Sequence, residues 1–305
     1  MSETLSLGGD LTVRRLGLGT MGLTGRGVWG ESERPDEARR LLRRAVELGV
    51  TFIDTADSYG PETCERLIAE ALHPYPDGLA IATKGGLTRS GPGRWSPNGR
   101  PDHLRTACEG SLRRLRLERI DVYQLHAVDP DVPLEESVGA LAELRDEGKV
   151  RHVGVSNVDA AQLARARAVV PIVSVQNRFS LAERSSEAVL ELCEREELAF
   201  IAWAPLAKGF LGGARGRPAR IASARGITRS QLALAWLLGR SPATIAIPGS
   251  SSLPHLEENL GAAGISLGDE ELAALARYRS AGYAARRLRR RARVALGRLK
   301  GRVRG

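Results

Sequence analysis

Val50-Thr51-Phe52-Ile53-Asp54-Thr55-Ala56-Asp57-Ser58-Tyr59-Gly60 starts as a β-branched apolar run and ends in small polar residues. That is the profile of a buried strand running out into a loop. Asp54 stands at the turnover, and Tyr59 follows in the loop. In a barrel of parallel strands the carboxyl ends and the loops after them carry the chemistry, so this pair would lie at the mouth of a site. Read alone, the stretch fits equally well an Asp capping the next helix and a Tyr packed against it. The flanking sequence decides.

On both sides the pattern alternates. Asp36 to Leu48 is helical, with Ala38, Leu41, Leu42, Ala45 and Leu48 on one face, and Gly49 stops it. Helical stretches at Glu62 to Leu72, Pro101 to Leu115, Leu134 to Glu147, Asp159 to Ala168, Ser186 to Glu196 and Thr228 to Leu238 separate apolar runs. Those runs are Leu79 to Thr83, Ile120 to Leu125, Val150 to Val155, Ile172 to Val175, Ala199 to Trp203 and Thr244 to Ile247. His255 to Ala263 closes the series, and Gly85 to Arg100 reads as a long loop rich in Gly, Pro and Ser. With a short strand at Arg15 to Leu18 the count reaches eight, the number that closes a parallel barrel. The strict alternation and the absence of a composition shift favour a (β/α)8 TIM barrel over an open doubly wound sheet. Leu5 to Val13, with Gly8-Gly9-Asp10 at its centre, predicts an N-terminal β-hairpin outside it. Gly17-Leu18-Gly19-Thr20-Met21-Gly22 matches G-x-G-x-x-G, but the glycine-rich continuation cannot open the helix that a dinucleotide fingerprint needs. A strand ending in a glycine loop that passes close to a ligand is the better reading.

The chain of 305 residues, 42% hydrophobic, can bury a full core. No stretch approaches the ~18 consecutive apolar residues of a membrane span, and Met1 to Asp10 lacks a secretory pattern. Cys64, Cys108 and Cys193 lie far apart in helical stretches, in neither a metal spacing nor a disulfide framework. A reducing, cytoplasmic location is the expectation. The net charge of +9 is local: residues 284–305 hold ten Lys and Arg and no acid, which leaves about −1 for residues 1–283. The expected division is therefore a near-neutral barrel unit, 1–283, and a basic C-terminal tail, 284–305. A uniformly basic nucleic-acid-binding protein is excluded. Leu288, Ala292, Ala295 and Leu299 recur at helical spacing in the tail, so contact with an anionic membrane or RNA stays open beside a frayed terminus.

Four ionisable residues fall at or just after strand ends: Asp54, Tyr59, Lys84 and His126. They suit one task. A carbonyl under reduction needs a hydride on carbon and a proton on oxygen. Tyrosine, with an ordinary pKa near ~10, needs its anion stabilised to exchange protons near neutrality. The ammonium of Lys84 would do that, with Asp54 pairing Lys84. His126 would donate a hydrogen bond to the substrate oxygen. Nucleophilic catalysis fits less well, since no Ser or Cys stands beside His126 in sequence, and no His/Asp/Glu spacing suggests a metal.

These residues and their surroundings resemble the aldo-keto reductase family. The matching pieces are F-I-D-T-A-D-S-Y-G, A-T-K, Y-Q-L-H, G-V-S-N at Gly154 to Asn157, Val175-Gln176-Asn177, W-A-P-L at Trp203 to Leu206, and I-P-G-S…E-E-N at Ile247 to Asn259. They stand in family order from about Leu5 to about Tyr278. The resemblance implies NAD(P)H-dependent carbonyl reduction on a (β/α)8 barrel, with Asp54, Tyr59, Lys84 and His126 as catalytic tetrad. It also implies a cofactor site: Ser156, Asn157 and Gln176 on the nicotinamide amide, and Trp203 stacked on its ring. Leu206 and the loop through Lys208-Gly209-Phe210-Leu211 would lie near the pyrophosphate, Ser250 and His255 near the adenosine-side phosphate, and Glu258 and Asn259 on the adenine.

Trp203 replaces the commoner Tyr, Gly249 stands where many members have Lys, and His255 where many have Arg. NADPH is the cofactor implied, and the two missing cations leave NADH open. A narrower likeness, in Y-G-P-E-T and A-L-H-P-Y-P-D-G-L-A-I-A-T-K, is to the bacterial branch that includes pyridoxal reductases, which makes pyridoxal a candidate substrate. Substrate choice would lie in the loops around Trp29, Arg89 to Trp95 and the region after Tyr278, with Trp29 and Trp95 as pocket walls or simply packed on the barrel rim. The expected activity is reduction of a small carbonyl substrate without a metal. The competing class is a non-catalytic NAD(P)H-binding redox sensor or regulatory subunit, against which an intact tetrad argues.

Overall fold

The structure is a computed structural model and describes residues 3–207, 216–276 and 278. The expected pyrophosphate loop from Lys208, the region after Tyr278 and the tail 284–305 lie outside the described residues. Strand β1 (Thr4–Leu7) pairs antiparallel with β2 (Leu11–Arg14). Gly8 and Gly9, with φ of 61° and 83°, make the turn that a side chain would strain.

The barrel then assembles from β3 (Leu18–Gly19), β4 (Phe52–Asp54), β5 (Ala80–Gly85), β8 (Ile120–Leu125), β9 (Val150–Ser156), β10 (Ile172–Arg178), β11 (Ala199–Trp203) and β12 (Thr244–Ala246). These eight strands neighbour one another in that order, every pairing parallel. Parallel bridges from Leu16 to Ala246 and from Gly19 to Gly249 join the first strand region to the last and close the ring. The chain is thus a (β/α)8 barrel with an N-terminal hairpin.

Helices cover the outside for reasons visible in their sequences. Helix α1 (Pro35–Glu47) opens with Pro35 and the acids Asp36 and Glu37, which suit a helix N-terminus. It buries Ala38, Leu41, Leu42 and Ala45 and stops at Gly49, whose φ is 88°. Helices α2 (Thr63–Leu72), α3 (Pro101–Leu115), α4 (Leu134–Asp146), α5 (Ala160–Arg167) and α6 (Glu187–Arg195) follow their strands in turn. Between β11 and β12 the described residues form two helices, α7 (Arg217–Ala224) and α8 (Arg229–Arg240). Asp159 with Gln162, and Thr228 with Gln231, form reciprocal capping boxes at the starts of α5 and α8. Helices α9 (Leu253–Leu260) and α10 (Asp269–Ala276) complete the shell.

Two expectations need correcting. The Gly85 to Arg100 segment is not an unstructured loop: β6 (Leu87–Gly91) and β7 (Arg94–Pro97) pair antiparallel within it. Helices α7 and α10 are additional to the alternating series. As expected, no α-helix opens in the G-x-G-x-x-G stretch: β3 ends at Gly19, Gly17 and Gly19 lie against neighbouring backbone, and Gly22 has open space around it. A Cβ on Gly17 would come within 2.6 Å of the Phe52 carbonyl oxygen, and one on Gly19 within 2.9 Å of the Ile247 carbonyl oxygen. Met21–Leu23 is a single 3-10 turn, not an α-helix.

Side chains alternate along each strand, so Phe52 and Asp54, Ala80, Ala82 and Lys84, Val122 and Gln124 share faces. The apolar members cluster with Ala199, Ile201 and Ile245, and Leu7 and Val13 of the hairpin pack against the same cluster. Each column ends in a polar residue at the carboxyl end of its strand. Among the described residues no helix is long and apolar enough to cross a membrane.

Candidate active site

The polar layer is almost sealed. Lys84 is fully buried and Asp54 is 2% exposed, and the Lys84 ammonium lies 2.7 Å from Asp54 Oδ1. Two buried charges are tolerated when their remaining hydrogen-bonding capacity is met. Here it is. Lys84 Nζ also donates to the Thr55 carbonyl at 2.6 Å and reaches the Tyr59 hydroxyl at 3.5 Å, which accounts for its three protons. Asp54 Oδ2 accepts from the side-chain amide of Gln176 at 2.6 Å and from that of Gln124 at 3.5 Å. The loop after β4 folds back through Thr55 N–H on the Ala82 carbonyl and Asp57 N–H on the Lys84 carbonyl, which carries Tyr59 to the ammonium.

The four residues singled out from strand ends are therefore in one place. The Tyr59 and His126 rings meet edge to face, centroids 5.8 Å apart, and each residue is 7% exposed. His126 Nδ1 stands 3.4 Å from the Ser58 hydroxyl. Burial first, and then the Lys84 charge, hold the imidazole pKa well below its ordinary value. Tyr59 departs from expectation. Burial, with the Asp54 charge next, pushes its pKa well above 10, so burial outweighs the nearby ammonium and keeps the phenol protonated.

On the far side of the mouth, the residues expected to meet a cofactor are mostly engaged with one another. Ser156 Oγ donates to the Gln176 carbonyl at 2.8 Å. Asn157 Nδ2 donates to the His126 carbonyl and to Ser156 Oγ, both at 3.0 Å, and its Oδ1 accepts the Trp203 indole N–H at 3.1 Å. The Gln176 side-chain amide, expected on a nicotinamide amide, donates to Asp54 through its Nε2. Strand β11 buries Ala199 to Ala202 and leaves the Trp203 ring half-exposed at its end. Leu206 is half-buried against the main core. The Ser250 hydroxyl donates to the Ser252 carbonyl at 2.8 Å, and Ser252 Oγ caps α9 by accepting the His255 N–H. His255 is exposed, Asn259 is buried, and Glu258 accepts from the Thr228 hydroxyl at 2.7 Å.

Of the two loop tryptophans, Trp95 comes to the reacting end: its centroid is 6.3 Å from that of Tyr59 and 6.4 Å from that of His126. Trp29 stays on the rim, 37% exposed. Sequence reading missed Gln124, Ser58 and the Arg89 guanidinium that lies 3.6 Å from the Trp95 centroid. Gln124 was legible, since a polar residue on the otherwise apolar face of β8 that carries Val122 signals a polar interior layer. Among the described residues no group of three or more His, Cys, Asp or Glu is placed to hold a metal ion.

A barrel whose strand ends gather a Lys–Asp pair, a protonated Tyr and a neutral His is the frame of a proton-transferring enzyme. Comparison with known proteins narrows it. The aldo/keto reductase family profile matches residues 15–279, and the chain belongs to that family. An uncharacterized oxidoreductase of Schizosaccharomyces pombe is 48% identical over 88% of this chain and 87% of its own length. Pyridoxine 4-dehydrogenase of Escherichia coli is 40% identical over 90% of this chain and 97% of its own. An aldo/keto reductase from Klebsiella pneumoniae, solved with NADP and acetate, superposes with a TM-score of 0.77 at 31% identity, covering 91% of this chain and 95% of that one.

Proposed function

We propose that this protein reduces aldehydes and ketones to alcohols with NADPH, Tyr59 giving the proton, and that pyridoxal is a candidate substrate. The observation that carries the reading is the buried Asp54–Lys84 pair with Tyr59 hydroxyl 3.5 Å from the ammonium and His126 edge-on to the phenol. The family membership supports an oxidoreductase. NADP bound to the Klebsiella protein supports the cofactor, and the likeness to pyridoxine 4-dehydrogenase supports the substrate.

The residues at the ends of β9 to β11 fit a nicotinamide. The half-exposed Trp203 ring offers a stacking face where the rest of its strand is buried. Ser156, Asn157 and Gln176 supply the hydroxyl and amide groups that would hold a carboxamide, and Ser250, His255, Glu258 and Asn259 would hold the adenosine end. When bound, the cofactor supplies the hydride that adds to the carbonyl carbon. Tyr59 gives its hydroxyl proton to the carbonyl oxygen as that oxygen gains charge, and the Lys84 ammonium beside it stabilises the phenolate left behind. His126, kept neutral by burial, would orient the substrate oxygen through Nε2–H in the tautomer whose Nδ1 accepts from the Ser58 hydroxyl. Trp95 and the closed loop after β4 exclude water from the reacting end.

The test is NADPH and NADH oxidation against pyridoxal, 4-nitrobenzaldehyde and methylglyoxal, with Tyr59→Phe beside wild type. Loss of the proton donor lowers kcat by about 10²–10⁴-fold while cofactor binding persists. Tight cofactor binding with no turnover of any carbonyl by wild type would sink this reading and leave a nucleotide sensor. A preference for NADH would show that Gly249 and His255 weaken the phosphate clamp.

A further inference from the structure

Arg89 stands at the middle of the hairpin formed by β6 and β7. Its guanidinium carries five N–H donors, and the surrounding backbone takes all five. Nε donates to the Arg94 carbonyl at 3.1 Å, Nη1 to the Val28 and Ser58 carbonyls at 2.6 and 2.8 Å, and Nη2 to the Gly27 and Gly91 carbonyls at 2.9 and 3.3 Å. Three separate segments meet there: the loop after β3, the Tyr59 loop and the hairpin itself. The plane of the guanidinium covers Trp95 at 3.6 Å, with Trp29 at 5.7 Å.

We propose that Arg89 is a positioning residue whose donor-saturated guanidinium fixes the Tyr59 loop and the Trp95 wall, and that it thereby selects uncharged aromatic carbonyl substrates over anionic ones. The route is short. Ser58, whose carbonyl Arg89 holds, precedes Tyr59 and presents its hydroxyl to His126 Nδ1. Trp95, against which Arg89 stacks, faces both catalytic rings. The left-handed backbone of Val28, with φ of 56°, is rare for a β-branched residue and needs its surroundings to hold it. The bond from Arg89 to its carbonyl does so.

The same saturation decides the substrate class. A carboxylate or phosphate brought to the Trp95 wall finds a cation with no N–H left to give. It must displace a backbone carbonyl or stay without a direct hydrogen bond, so the half-buried guanidinium offers it no bidentate seat. A flat neutral ring loses nothing there and gains contact area.

The selectivity claim deepens the carbonyl-reductase reading and rests on it, and the positioning claim has its own readout. Arg89→Lys keeps the charge but offers three donors and no plane. Arg89→Lys and Arg89→Met should both lose about 100-fold in kcat/KM for 4-nitrobenzaldehyde, because a small misplacement of reacting groups costs on that order. Their NADPH dissociation constants should stay within about twofold of wild type, since the residues that would hold it lie on other elements. Full activity in Arg89→Lys would overturn the proposal, and so would a parallel loss of NADPH binding. On wild type itself, 4-nitrobenzaldehyde should exceed 4-carboxybenzaldehyde by about tenfold or more in kcat/KM, and pyridoxal its 5′-phosphate likewise. A preference for the anion would overturn the proposal even if neither variant folds. Should wild type reduce no carbonyl at all, the reductase reading fails. The staple is then judged by amide hydrogen exchange at residues 27–30 and 58–60, expected about tenfold faster in Arg89→Lys. Unchanged exchange there would overturn it.

Discussion

At the residue scale, the site separates its ionisable groups by environment. Tyr59 titrates well above 10 and His126 well below 6.5. Neither changes charge between those values, so carbonyl reduction should show no ionisation from either across that range. The reverse oxidation needs the phenolate and should climb as pH approaches the Tyr59 value; a flat oxidation profile would contradict this. Asp57, two residues before Tyr59, has a buried Oδ1 with no hydrogen-bond partner. Burial, and then the Glu65 carboxylate, push its pKa up to about 8. Unfolded, it ionises near pH ~4. Between those values the folded chain keeps a proton that the unfolded chain has lost, so stability falls as pH rises through that window. Asp57→Asn removes the dependence. Its Tm should gain on wild type from about pH 5 to about pH 9, and an equal difference at both ends would refute the assignment. The three thiols behave oppositely to a reactive cysteine: Cys64, Cys108 and Cys193 are buried, and burial pushes each up to about 12.

At the element scale, strands and helices with one buried face were readable because their period is written in apolar residues. Asp54, Lys84 and His126 were readable because each breaks an apolar run where the run ends. The β6–β7 hairpin was not readable in the same way. Its alternating residues Thr88, Arg89, Ser90 and Trp95 are mostly polar, since it covers a mouth instead of a core, and only Gly91-Pro92-Gly93 marks its turn. The role of Arg89 was invisible for a stronger reason. Its partners lie at residues 27, 28 and 58, and only the closed barrel brings them together. Tyr59 was found but its titration was misjudged, because sequence gives the neighbouring charge and not the depth of burial. The glycine just before β3 can be tested directly. Gly17→Ala puts a Cβ 2.6 Å from the Phe52 carbonyl oxygen, and backbone cannot swing aside as a side chain can. A loss of about 1–3 kcal/mol in unfolding free energy is expected by chemical denaturation. A neutral effect would mean that the β3–β4 pairing is slack.

At the scale of the whole molecule, the N-terminal hairpin and the ring closure act together. Leu7 and Val13 are buried in the cluster that fills the barrel, and Asp10 pairs with Arg151 and His152 at the start of β9. Leu7→Ala should cost about 2–5 kcal/mol, whereas Asp10→Ala, an exposed pairing, should cost about 1 kcal/mol or less. Equal losses would mean that the hairpin is held by charge and not by its apolar plug. The bridges from Leu16 to Ala246 and from Gly19 to Gly249 set a temporal order on biosynthesis. The first strand leaves the ribosome with one neighbour missing, and that neighbour is more than two hundred residues behind it. Until it arrives, the nascent half-ring carries two unsatisfied sheet edges, the arrangement from which chains aggregate. A polypeptide stalled before Thr244 should therefore need a chaperone that one released after Gly249 does not.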